Sequence, residues 1–165
     1  MTTSDLRIVR ANEHHLDDLA GLLEQIEAED HPDDPAKAQA AIPGLRESLQ
    51  HFPSLSSDCT WVLIAYVGDQ PAGLAVLARV TKLDARRGFL YLDEVHVLEP
   101  YRRHGIGTAL LEASFALARE LGLCGVRLLT RIDNEPARKL YESFGFEGVE
   151  TVFYLRHFDR PELRA

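Results

Sequence analysis

The chain has 165 residues, 45% of them hydrophobic, with 18 basic and 26 acidic side chains and a net charge of -8. That length fits a single domain over residues 1–165 with a core around one sheet. No apolar run reaches the roughly 18 residues a membrane span needs, and the acidic balance argues against general nucleic-acid binding. The opening "MTTSDLRIVR" has no signal-peptide core, so the expected address is cytoplasmic. Cys59 and Cys124 sit in or beside apolar segments without metal-ligand spacing. Both are expected to be reduced packing residues, and no metal is expected.

In chain order, "LRIVRA" reads as a strand, after which Asn12 can cap a helix whose apolar face is Leu16, Leu19, Leu23 and Ile26. A second helical pattern begins near Pro35, and Pro43-Gly44 is expected to break or kink it. "TWVLIAYV" and "AGLAVLARV" are apolar strands joined through a turn at Gly68-Asp69. "FLYLDEVHV", residues 89–97, alternates and reads as the next strand. A long helix follows from Gly105, then a strand "GVRLLTR", a helix over "NEPARKLYESFGF" capped by Asn134, and a last strand "GVETVFYLRHF". Such mixing indicates an α/β or α+β sheet with packed helices.

The segment "EPYRRHGIGTALL", residues 99–111, places two arginines and two glycines where a strand becomes a helix. Backbone N–H groups at a helix start lack partners, and the helix dipole adds partial positive charge there. Gly105 and Gly107 remove side chains that would keep a phosphate away, while Arg102 and Arg103 bring charge. A glycine turn can also serve only close packing of helix on strand. The turn lacks both the dinucleotide fingerprint and the P-loop pattern.

Two motifs in order carry a resemblance. R-x-x-G-x-G, as Arg102, Gly105 and Gly107, precedes N-x-x-A-x-x-x-Y-x-x-x-G-F, as Asn134, Ala137, Tyr141, Gly145 and Phe146. Together they resemble the GCN5-related N-acetyltransferase (GNAT) superfamily, over residues 90–146. The resemblance implies a mixed, mostly antiparallel twisted sheet, splayed between its fourth and fifth strands, with helices on both faces. It implies acetyl-CoA as co-substrate: pyrophosphate on the amides of residues 102–107, with Arg102, Arg103, His104, Gly105, Ile106, Gly107 and Thr108 around it. Pantetheine would bond the backbone of Val95 and Val97, with Asn134 and Ala137 also in contact.

Moving an acetyl group to an amine needs a neutral nucleophile, and a lysine-like amine with a pKa near 10.4 is mostly protonated at neutral pH. Alternation sets Asp93 and Glu94 on opposite strand faces, so only one can point at the substrate. The resemblance favours Glu94 as base, directly or through water, with Asp93 as rival; both can also be edge carboxylates in salt bridges. Tyr141 shares an apolar helix face with Ala137, Leu140 and Phe144, which suits a core tyrosine. By resemblance it protonates the CoA thiolate. His104 is expected beside the phosphates, and His96 is a strand-face residue or a substrate contact.

The function expected is transfer of acetyl to a primary amine of a small molecule by direct attack in a ternary complex. The alternatives are a non-catalytic acyl-CoA-binding or regulatory domain, and an acetyltransferase acting on a protein N-terminus or lysine. The acidic stretch "EQIEAEDHPDDPAK", residues 24–37, is either a solvated face or a rim that attracts a cationic acceptor. A homodimer is compatible with the resemblance.

Overall fold

The computed structural model describes residues 5–50, 55, 57–83, 87–154 and 156. Contacts divide the chain into two compact units, residues 1–129 and 130–165. The first contains strands β1 (Leu6–Arg10), β2 (Thr60–Val67), β3 (Gln70–Val80), β4 (Phe89–Val97) and β5 (Val126–Leu128) and helices α1 (Leu16–Asp30), α2 (Pro35–Gln50) and α3 (Ile106–Glu120). Short 3-10 turns lie at Glu13–His15 and Glu99–Tyr101. The second unit contains helix α4 (Glu135–Ser143).

The five strands lie in sequence order, antiparallel except for the parallel pair β4 and β5. One face carries Val62, Ile64, Tyr66 and Leu74, which form a core with Leu19, Ala20 and Leu22 of α1 and with Leu49 and Leu98. Alternation sends Trp61, Leu63, Ala75 and Leu77 to the other face. There α3 meets every strand and supplies the fully buried Ile106, Leu110 and Leu111. The α1 face includes one polar tie, Tyr66 Oη donating to Asp18 Oδ2 at 2.5 Å. Burial, reinforced by that carboxylate, pushes the Tyr66 phenol up to about 12.

Several expectations change. Asn12 caps the short turn Glu13–His15, accepting from His14 N–H at 2.9 Å, and α1 runs on from it. Helix α2 is continuous through Pro43. The bond that proline cannot donate would have gone to the carbonyl of Gln39, which is exposed and can meet water instead. Strand β5 covers only three residues of the expected seven, because its ladder stops at Leu92 opposite Leu128. The described part of the expected last strand, residues 148–154 and 156, is not strand. No ladder partner pairs with it among the described residues, and Val149, Val152, Phe153 and Tyr154 are exposed; positions 155, 157 and 158 lie outside those residues. Cys59 and Cys124 are free but exposed, so neither is a packing residue. Cys124 instead donates its thiol to the carbonyls of Arg87 and Gly88, each at 3.2 Å.

Candidate active site

Strand β4 outruns its neighbour. β5 pairs it only through Leu92, so residues 93–97 have β3 on one side and no described strand on the other. The ladder to β3 also shifts: Leu92 lies opposite Leu77, but Glu94 lies opposite Val76. Asp93 is the extra residue of a β-bulge. Because directly opposed residues share a face, the bulge turns Glu94 and His96 onto the side of Val76 and Leu74, toward α1. Val95 and Val97, opposite Ala75 and Gly73, stay with Leu90 and Leu92 on the α3 side. Simple alternation, expected to separate Asp93 from Glu94, therefore does not run through this point.

Backbone groups alternate as well. The His96 carbonyl crowds Gly73, where a Cβ would come within 2.5 Å of it, and Leu98 N–H donates to Ala72 O at 3.0 Å. Residues 96 and 98 thus face β3, so Val95 and Val97 present N–H and C=O to the open edge. Arg102 Nε donates to Val97 O there at 2.8 Å.

The turn after β4 leads straight into α3. Arg102 N–H is spent on Glu99 O at 3.2 Å, whereas the N–H groups of residues 103–108 have no protein partner among the described residues. Those of Ile106, Gly107 and Thr108 are the ordinary orphans of a first helical turn. Two left-handed residues shape the approach: Gly105 at φ 81° and Arg103 at φ 67°. Arg103 occupies a conformation that glycine adopts without strain and an L side chain does not. Arg102, Arg103 and His104 are exposed around these amides, and buried Ile106 anchors the helix start. A row of free N–H groups with two guanidinium groups at a helix N-terminus suits a phosphate.

The carboxylates on the α1 side differ. Glu94 is raised above the ordinary carboxylate range by desolvation, then by repulsion from Asp93; His96 opposes this and Asp30 adds to it. Glu29 is lowered: burial works against it, but the Glu99 N–H, His96 and Arg102 outweigh that. Of the acidic rim, Glu24 pairs with Arg46 at 2.6 Å and Glu27 with His31 at 3.3 Å. Asp34 accepts from Lys37 N–H at the start of α2. Asp30 is exposed, has no ion pair among the described residues and acts on Glu94. Sequence reasoning assigned Glu29 to the rim and missed its role as an acceptor for three groups. No local signal marks it, since those partners lie 67 to 73 positions away.

Asn134, Ala137 and Tyr141 belong to the second unit. Asn134 Oδ1 accepts Ala137 N–H at 3.3 Å and so caps α4. Tyr141 is half-buried beside Phe146, edge to face at 5.7 Å, and desolvation raises its phenol pKa. Among the described residues of α4 none is buried, so Tyr141 is no core tyrosine there. Among the described residues no group of three His, Cys, Asp or Glu side chains is placed to hold a metal.

The model of the Acetyltransferase (GNAT) family matches residues 19–146. GCN5-related N-acetyltransferase 7, chloroplastic, of Arabidopsis thaliana is 31% identical over 108 residues, 64% of this chain and 36% of that protein. An N-alpha-acetyltransferase of Sulfurisphaera tokodaii is 46% identical over 69 residues, 41% of this chain and 40% of its own. The matches thus span less than half the length of either relative. In fold, the chain is similar to an aminoglycoside N-acetyltransferase solved in complex with CoA, with TM-score 0.71 and 21% identity, covering 92% of this chain and 94% of the other.

Proposed function

Since the chain belongs to the acetyltransferase (GNAT) family, we propose that it is an acetyl-CoA-dependent N-acetyltransferase acting on a primary amine. The observation that carries the reading is the open edge of β4 running directly into a turn of unpartnered amides. An extended amide-bearing arm can bond Val95 and Val97 as a strand would, while the phosphates at its end meet the N–H groups of residues 103–108.

Acetyl-CoA, when bound, supplies an acetyl thioester: the amine forms the N–C bond, the C–S bond breaks, and thiolate leaves. Glu94 accepts the proton the amine must lose, and its raised pKa makes it a better base than an ordinary carboxylate. Tyr141 keeps its phenolic proton through neutral pH and can give it to the thiolate. Asp30, Asp93 and Glu94 form the acidic side of the site, which suits a cationic small-molecule acceptor such as an aminoglycoside. The N-alpha-acetyltransferase likeness supports a second reading, a peptide N-terminus as acceptor.

The test is calorimetric titration with CoA. The parent is expected to bind, and Gly107→Asp is expected not to, because it sets a carboxylate among the free amides while suiting a helix N-terminus. Equal binding by both removes the assignment of the turn. Acetyl-CoA consumption over aminoglycosides, polyamines and N-terminal peptides then separates the two acceptors.

A further inference from the structure

Glu29 lies on the last turn of α1, yet its carboxylate reaches two different parts of the β4 region. Oε1 accepts the backbone N–H of Glu99 at 2.6 Å. Oε2 accepts the Arg102 guanidinium at 2.6 Å and lies 3.1 Å from His96 Nε2. The Glu29 side chain is only 20% exposed, so its charge is partly desolvated and depends on these donors. Arg102, 48% exposed, would be a freely moving side chain if only Val97 O held it. With Glu29 it is held at two points, one on α1 and one on the edge of β4.

A guanidinium fixed in this way has already lost the rotamer freedom that binding an anion would otherwise cost. Neighbouring acids do not take this role, because Glu24 and Glu27 are paired elsewhere. We infer that Glu29 is a positioning residue, which holds Arg102 in the geometry that receives the phosphates. This rests on the reading that the turn binds CoA.

The experiment is a double-mutant cycle with CoA as ligand, read by calorimetry, with melting temperatures measured alongside. Glu29→Gln keeps the side chain's size and removes its charge. It is expected to weaken CoA binding about tenfold, or about 1.4 kcal/mol. In an Arg102→Ala background the same change is expected to alter CoA binding less than twofold, because Glu29 acts through Arg102. Glu29→Asp, which keeps the charge but retracts it, is expected to fall between and serves if Glu29→Gln does not fold. A Glu29→Gln protein that binds CoA as the parent does overturns the inference, whatever its melting temperature. So does a loss that is equally large in both backgrounds. A parent that does not bind CoA overturns the reading of the turn, and this inference with it.

Discussion

Arg102 Nε donates to the carbonyl oxygen of Val97 across 2.8 Å, so the side chain expected to meet phosphate also covers part of the strand edge expected to bond pantetheine. The two tasks are compatible. A carbonyl oxygen has two lone pairs, and Arg102 has five N–H donors, of which one goes to Val97 and one to Glu29. The contact also ties the turn that leads into α3 to the end of β4.

As the proposed base, Glu94 is expected to set an acid limb. Its carboxyl is raised, by desolvation first and Asp93 second, so it ionises above the ordinary range and is a base only above its own pKa. Activity, as kcat/KM, is expected to rise with pH through a pKa above the ordinary carboxylate range. Glu94→Gln should lower turnover about 100-fold and remove that limb. A pH profile of Glu94→Gln that keeps the limb would transfer the role to another group, with Asp93 the first candidate.

Asp30 has no ion pair among the described residues and is the rim carboxylate that acts on Glu94, whereas Glu24, Glu27 and Glu29 are paired. Asp30→Asn should raise KM for a cationic acceptor a few-fold at low salt and less at high salt, with CoA affinity unchanged. Glu24→Gln should leave that KM unchanged. Equal effects of the two substitutions at every ionic strength would make the acidic stretch a solvated face.

Arg103→Gly should stabilise the fold. The parent holds Arg103 at φ 67°, a conformation costing an L residue about 1 kcal/mol that glycine avoids. For a chain of this size that corresponds to a melting temperature higher by about 2–4 °C, readable by calorimetry or circular dichroism. A lower melting temperature would mean that the Arg103 side chain contributes more than its backbone costs.

Tyr141→Phe removes one hydroxyl from a half-buried ring beside Phe146 and leaves the edge-to-face contact in place. CoA affinity and melting temperature should change little, while turnover with a true acceptor falls 10-fold or more. Full turnover in Tyr141→Phe would make the ring a packing group within its own unit.

Strand, turn and helix around residues 89–120 were legible because each carries its signal locally: period-two apolar residues, then glycines and arginines, then period-four apolar residues. Asn134 was legible as a cap for the same reason, as was Gly68 at a hairpin turn with φ 59°. The apolar pattern of residues 148–154 was equally clear, yet it is not strand, because a strand also needs a neighbour to complete its ladder. Pro43 does not break its helix, since the one carbonyl left without a donor belongs to the exposed Gln39 and can meet water instead.

By itself, then, the sequence determined the family, the order of most elements and the candidate turn, all of which depend on residues a few positions apart. Only the tertiary structure decided which face Glu94 and His96 occupy, because that depends on the slip of one residue at Asp93 against β3, and a one-residue slip reverses every side chain beyond it. It likewise decided that Glu29 serves Arg102 rather than solvent. An ion pair between positions 29 and 102 is set by how α1 packs across the sheet, and nothing near either residue in the chain encodes that meeting.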